Sequence, residues 1–304
     1  MFIVRNRIAF YTFSIALSIA SIVALVVWGL RPGIDLKGGS IMEIEYVSER
    51  PSMEDLRGGL DSLGLGTYSI RPTGETGYII RTGELDQAGH SAVLAAIDTM
   101  SASDFEEKRF NSIGPVLGEE ALQKSWISIL LVLAAIVLFI TFAFRKVSRP
   151  VSSWKYGLMA IVGLAHNILI TAGAFAVLGQ FAGFEVDTLF VTALLVILGF
   201  SVHDTIVVFD RVRENLHINS NRSDKKNFEH IVGDSINQTF VRSINTSLTT
   251  LIAIAALYVF GPETTKHFSL ALFIGIAFGT YSSIFICAPL LITLNRQKDS
   301  RSDR

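Results

Sequence analysis

The chain has 304 residues, half of them hydrophobic and only 17% of them charged. A soluble domain carries about 25% charge and no long apolar stretches, so the soluble classes are excluded. The 26 basic and 27 acidic residues nearly cancel, so their placement along the chain is the informative part.

Six runs approach or exceed the length of about 20 apolar residues that a bilayer crossing needs. They lie near 8–30, 126–144, 156–182, 188–209, 243–260 and 268–294. The first is too long for a signal-peptide core and has no small-x-small cleavage site after it, so it reads as an uncleaved anchor. Three stretches follow: an anchor segment over 1–30, an external domain over 31–124, and a five-helix membrane domain over 125–304.

The external segment alternates strand and helix signals. Met42, Ile44 and Tyr46 alternate with Glu43 and Glu45, which is the period of a half-buried strand. Ser52 caps a helix whose apolar face carries Met53, Leu56, Leu60 and Leu63, and Gly64 and Gly66 stop it. Strands are expected over 67–71 and 77–81, with Pro72, Thr73 and Gly74 in the turn between them. A second helix over 86–100 and a strand over 104–113 complete a βαββαβ order. The expected fold is therefore an α-helical polytopic membrane protein of six transmembrane helices, with a small α+β ferredoxin-like domain outside the membrane.

Lys and Arg set the orientation. Arg5 and Arg7 precede span one; Arg145, Lys146, Arg149 and Lys155 follow span two. Arg211, Arg213, Arg222, Lys225 and Lys226 follow span four, and Arg296, Lys298, Arg301 and Arg304 follow span six. The opposite short loops hold only Glu185, Asp187, Glu263 and Lys266. Both termini are expected in the cytoplasm.

Span four contains Asp204, which costs about 2.5–3.5 kcal/mol in mid-membrane and so calls for a partner. Ser201, Asp204 and Thr205 share one helical face. Span five carries a polar stripe of Arg242, Asn245, Thr246 and Thr249, and span three carries His166, Asn167 and Thr171. Counted at about 1.5 Å per residue from the outer helix ends, Asp204 and Arg242 lie at similar depth on antiparallel helices. They are expected to meet as a proton-coupling pair, with Ser201, Thr205, Asn245, Thr246 and Thr249 as the supporting polar face. Arg stays charged while a carboxylate loads and releases a proton, which makes the pair a switch. A purely structural Asp204 gluing helices together is the plainer alternative. For His203 and His166 a packing role weighs at least as much as a relay.

Enzyme chemistry is not expected. There is no His-Glu-x-x-His zinc motif and no Walker A loop. Cys287 is the only cysteine and the six histidines have no metal spacing, so neither disulfide, metal nor cofactor is expected. The basic residues are loop anchors, which argues against nucleic-acid binding.

The motifs bring a resemblance. Gly33-Ile34-Asp35-Leu36-Lys37-Gly38-Gly39-Ser40, then Ser112-Ile113-Gly114-Pro115-Val116-Leu117-Gly118, and above all the span-four string from Ser201 to Asn215 resemble the SecD/SecF family of protein-export subunits. That family is related to the resistance–nodulation–division transporters. Arg242 stands where the family has a membrane-embedded arginine, and His203 where many relatives have Asn. The length fits the SecF branch, since SecD proteins carry a much larger first external domain. The resemblance implies a subunit of the bacterial inner membrane that uses the proton motive force to assist preprotein translocation. Its implied partners are SecD, which brings its own intramembrane aspartate, the SecYEG channel, YajC, the emerging preprotein and membrane lipids. Half of a small-molecule or lipid exporter, or a passive scaffold, are the rival readings.

Overall fold

The computed structural model describes residues 2–100, 103–143, 153–221 and 223–302. Of the residues used for orientation, Arg145, Lys146, Arg149, Arg222 and Arg304 lie outside these. The chain divides into two compact units, Met1–Arg31 with Ile127–Arg304, and Pro32–Trp126. The first span thus belongs to the same unit as the other membrane helices.

In chain order, α1 (Phe2–Arg5) and α2 (Arg7–Val27) come first. The second unit holds α3 (Ile34–Lys37), β1 (Gly39–Tyr46), α4 (Met53–Asp61), β2 (Ser69–Thr73), β3 (Gly77–Thr82), α5 (Gln87–Met100) and β4 (Phe105–Ile113). The sheet order is β2-β3-β1-β4 with every pair antiparallel, the split arrangement of a ferredoxin-like domain.

Side chains alternate across a strand, so Met42, Ile44 and Tyr46 reach one face of β1 and are buried. They pack there with Leu56 and Leu60 of α4 and Val93 and Ile97 of α5. The Ser52 hydroxyl accepts from the Asp55 N–H at 3.2 Å and starts α4. α4 ends at Asp61 with Ser62 as its cap, and Gly64 and Gly66, with φ of +64° and +70°, turn the chain just beyond it. Pro72 and Thr73 differ from expectation: they lie within β2, not in the turn. β2 is an edge strand, where a residue without an N–H leaves no ladder bond unmade. Leu56 is fully buried, so Leu56→Ala should lower the stability of this unit by about 2–5 kcal/mol, read by thermal unfolding of the purified chain.

The Gly-Gly pair is where backbone freedom is required. Gly38 has φ +80° and ψ 167°, and Gly39 has φ +128°. A Cβ on Gly38 would lie 2.6 Å from the Pro115 Cα, and one on Gly118 would lie 2.5 Å from the Gly38 N. The two motifs of the sequence are therefore one construction, in which residues 38–39 lie directly against residues 114–118. Gly33 has φ −74°, open to any residue, so the same explanation does not extend to it.

Then follow α6 (Pro115–Ala143), α7 (Ser153–Ala182), α8 (Thr188–Ser220), α9 (Phe228–Phe260) and α10 (Glu263–Ser282). A π turn (Ser283–Cys287) carries α10 on into α11 (Ala288–Ser302). Six helices are long and apolar enough to cross a membrane, the sixth running through the π turn. Burial sorts them. Between 50 and 61% of the most apolar window of α7, α8 and α10–α11 is covered, against 11–17% for α2, α6 and α9. The first three form the centre and the others present broad outward faces. Small residues permit the close approaches: a Cβ on Gly173 of α7 would meet Ser21 of α2 at 2.4 Å.

Candidate functional site

Asp204 sits on α8, a helix capped by the Asp187 carboxylate, which accepts from the Phe190 N–H at 2.8 Å. Ser201, Asp204 and Thr205 all face inward, with 1, 2 and 3% of their surface exposed. The Asp204 Oδ2 accepts from the Ser247 hydroxyl of α9 at 3.3 Å and from the Thr280 hydroxyl of α10 at 3.2 Å. Those two hydroxyls lie 2.5 Å apart. Three helices therefore converge on one carboxylate, and its hydrogen-bond partners are neutral hydroxyls.

A second chain of bonds runs beside it. The Thr205 hydroxyl donates to the Ser201 carbonyl at 2.9 Å and lies 2.8 Å from the Ser283 hydroxyl. The Asn167 amide of α7 donates to the Ser201 hydroxyl at 2.7 Å, and the His166 Nδ1 lies 3.1 Å from the Asn167 Oδ1. Ser283 is the first residue of the π turn, a feature that in helices often accompanies functional sites. A buried polar network of this kind is stabilising only when its members are satisfied, and here most are.

Arg242 does not meet Asp204. It is exposed, as are Asn245, Thr246 and Thr249, so this stripe faces away from the buried carboxylate. The hydroxyls of Thr246 and Thr249 bond to carbonyls of their own helix. The height estimate erred because it was taken from helix ends. Contact with Ser247 fixes the level of Asp204, and Arg242 lies five residues further along α9, about 7.5 Å away and about 140° around. Span five carries two polar rows, and the inward one is Ser235, Thr239, Ser243 and Ser247, all buried. Sequence reading missed Ser247, Thr280 and Ser283. The i, i+4, i+8, i+12 spacing of small hydroxyl residues was the available signal, since small side chains let helices approach closely. His203 is exposed and belongs to neither network. Among the described residues no group of three His, Cys, Asp or Glu is placed to hold a metal ion.

Comparison with known proteins gives this geometry a family. Residues 93–297 match the family model "Protein export membrane protein SecD/SecF, C-terminal", and residues 23–48 match the SecD/SecF GG motif. The protein translocase subunit SecF of Thermobaculum terrenum is 43% identical over 96% of this chain and 93% of its own. That of Anaerolinea thermophila is 35% identical over 95% and 92%. The crystal structure of SecDF, a translocon-associated membrane protein from Thermus thermophilus, superposes with a TM-score of 0.82 at 27% identity. The match takes in 96% of this chain but 38% of the SecDF chain. With six candidate spans and these relatives, the protein is a multi-pass membrane protein and a non-catalytic transport subunit. The chain belongs to the SecD/SecF family of protein export membrane proteins, on its SecF branch.

Proposed function

We propose that the chain, joined to SecD in the bacterial inner membrane, couples proton movement to preprotein translocation with Asp204 as the proton-carrying group. The observation that carries this reading is a carboxylate 2% exposed, at the meeting point of α8, α9 and α10, held by two hydroxyls. Hydroxyls donate to the ionised form and accept from the protonated one, so the same cage serves both states. A charge-paired aspartate would be held in one. A proton crossing the membrane supplies about 2.3 kcal/mol per 100 mV of potential, a useful bias for a two-state helix packing.

Arg242 then acts toward SecD and not toward Asp204. A guanidinium and an amide on the outward face of a membrane helix are costly against lipid, so Arg242, Asn245, Thr246 and Thr249 present a polar docking stripe to the SecD half, whose aspartate is the fitting counter-charge. On this reading both termini and the α8–α9 loop are cytoplasmic and residues 32–126 are periplasmic, in reach of the emerging preprotein. The SecYEG channel and YajC complete the assembly. Only Gly261 and Pro262 separate α9 from α10, which leaves no room for the second large external domain of a small-molecule exporter half.

The reading is tested by Asp204→Asn in membrane vesicles: the complex should still assemble while gradient-driven preprotein release is lost.

A further inference from the structure

The sixth span has to satisfy two neighbours with one row of residues. Thr280 meets Asp204 of α8 and Ser247 of α9. Ile284, Ala288 and Ile292 follow at steps of four and pack with Val208 and Val212 of α8 and Val232 and Ile236 of α9. In a regular α-helix such a row runs ahead by about 40° at every step, or about 120° over three steps. A turn closed by i→i+5 bonds holds more residues and takes that drift back. The π turn Ser283–Cys287 lies inside the row, between Thr280 and Ala288, and keeps all four residues on the α8–α9 side.

Both ends of the π turn are fastened. At its first residue the fully buried Ser283 hydroxyl lies 2.8 Å from the Thr205 hydroxyl of α8. At its last the Cys287 thiol donates to the Met159 carbonyl of α7 at 3.4 Å.

The first fastening bears on the carboxylate. Thr205 follows Asp204 directly, so the two side chains leave α8 about 100° apart. The sixth span is thereby held to α8 at two azimuths, Thr280 on Asp204 and Ser283 on Thr205. One such bond leaves a helix free to roll about its axis, and two do not. Little else on this side resists a roll, because Gly275 and Gly279 offer no side chain to Ile197 and Ser201 of α8. A roll of about 40° carries a Cα about 1.6 Å along its circle of about 2.3 Å radius. That is enough to part the Thr280–Asp204 bond, already 3.2 Å long.

We propose that Ser283 is a positioning residue for the Asp204 cage. By tying the start of the π turn to Thr205 it fixes the roll of α10 and holds Thr280 on the carboxylate. It acts through Thr280 and not on the carboxylate itself. The proposal rests on the proton-coupling reading above and adds the device that keeps the cage closed.

The test uses the complex with SecD in sealed vesicles, with assembly read by co-purification and preprotein release measured with and without a gradient. Ser283→Ala should assemble, keep its gradient-free release, and lose gradient-driven release at least fivefold. Exchanging the partners, Thr205→Ser together with Ser283→Thr, keeps both hydroxyls and the number of atoms, and should restore release to within twofold. Thr280→Val removes the positioned bond directly. Adding Ser283→Ala to it should lower release less than a further twofold, since residues that act through one bond are not additive.

A full multiplicative loss in that double variant overturns the proposal, as does an exchange variant no better than Ser283→Ala. Failure of Ser283→Ala to assemble makes its bond a structural one and overturns it too. Loss with Asp204→Asn but unchanged release with Ser283→Ala overturns the positioning role and leaves the coupling reading standing. Unchanged release with Asp204→Asn overturns the coupling reading itself.

Discussion

Gly38→Ala should lower the stability of the Pro32–Trp126 unit by about 2–6 kcal/mol. Two costs add. A φ of +80° with ψ 167° lies in a region that only glycine occupies readily, worth about 1–3 kcal/mol of strain. The new Cβ would also lie 2.6 Å from the Pro115 Cα and 2.8 Å from its N, backbone atoms that have no rotamer to yield. Overpacking of this kind costs about 1–3 kcal/mol more. For a unit of this size each kcal/mol moves the midpoint by about 4–8 °C, so the loss is easily seen in thermal unfolding of the purified chain. Gly83→Ala is the control, since a Cβ there meets nothing within 4 Å. Equal midpoints for the two variants would contradict the close approach of the two motifs.

Arg242→Leu should have opposite signs in two settings. In the isolated chain Arg242 is exposed on a membrane helix, so its replacement should leave thermal stability unchanged or raise it. If the stripe docks SecD as proposed, the same change in the complex should weaken co-purification and cut gradient-driven release at least tenfold, as the proposed counter-charge across the subunit boundary would lose its partner. Breaking a buried pair costs about 3–5 kcal/mol. Had Arg242 been paired with Asp204 inside the chain, that loss would appear in the isolated subunit. A destabilised isolated chain together with an intact complex would therefore restore the internal pair and remove the docking stripe.

The contrast shows where the sequence was readable. Long apolar runs and a strict alternation over β1 are properties of single elements, and burial of one face follows from period alone. Asp204, Ser201 and Thr205 were legible for the same reason, since i, i+3 and i+4 on one helix need no knowledge of its neighbours. The partner of Asp204 was not legible, because α9 offers two polar rows and the choice between them depends on how α9 turns about its own axis. Charge complementarity favoured Arg242, but packing selected Ser247: a serine lets α9 come close to α8 and α10, which a guanidinium in the same place would prevent. The π turn at Ser283–Cys287 was invisible for a related reason. Nothing in Ser-Ile-Phe-Ile-Cys departs from an ordinary apolar helix, and what marks it is tertiary: the bond between Ser283 and Thr205, and the Cys287 thiol donating to the Met159 carbonyl. The pairing of the Gly-Gly and Gly-Pro motifs likewise needed three dimensions, as more than 70 residues separate Gly38 from Gly114.

The central claim is that Asp204 carries the proton. Its most direct measurement compares wild type with Asp204→Asn in sealed vesicles containing SecD and the channel, under an imposed gradient, with assembly checked by co-purification. Asn keeps the shape and the hydrogen bonds to Ser247 and Thr280 but holds no titratable proton. The account predicts an assembled complex in which the gradient no longer accelerates preprotein release. Release that still responds fully to the gradient in that variant would contradict it.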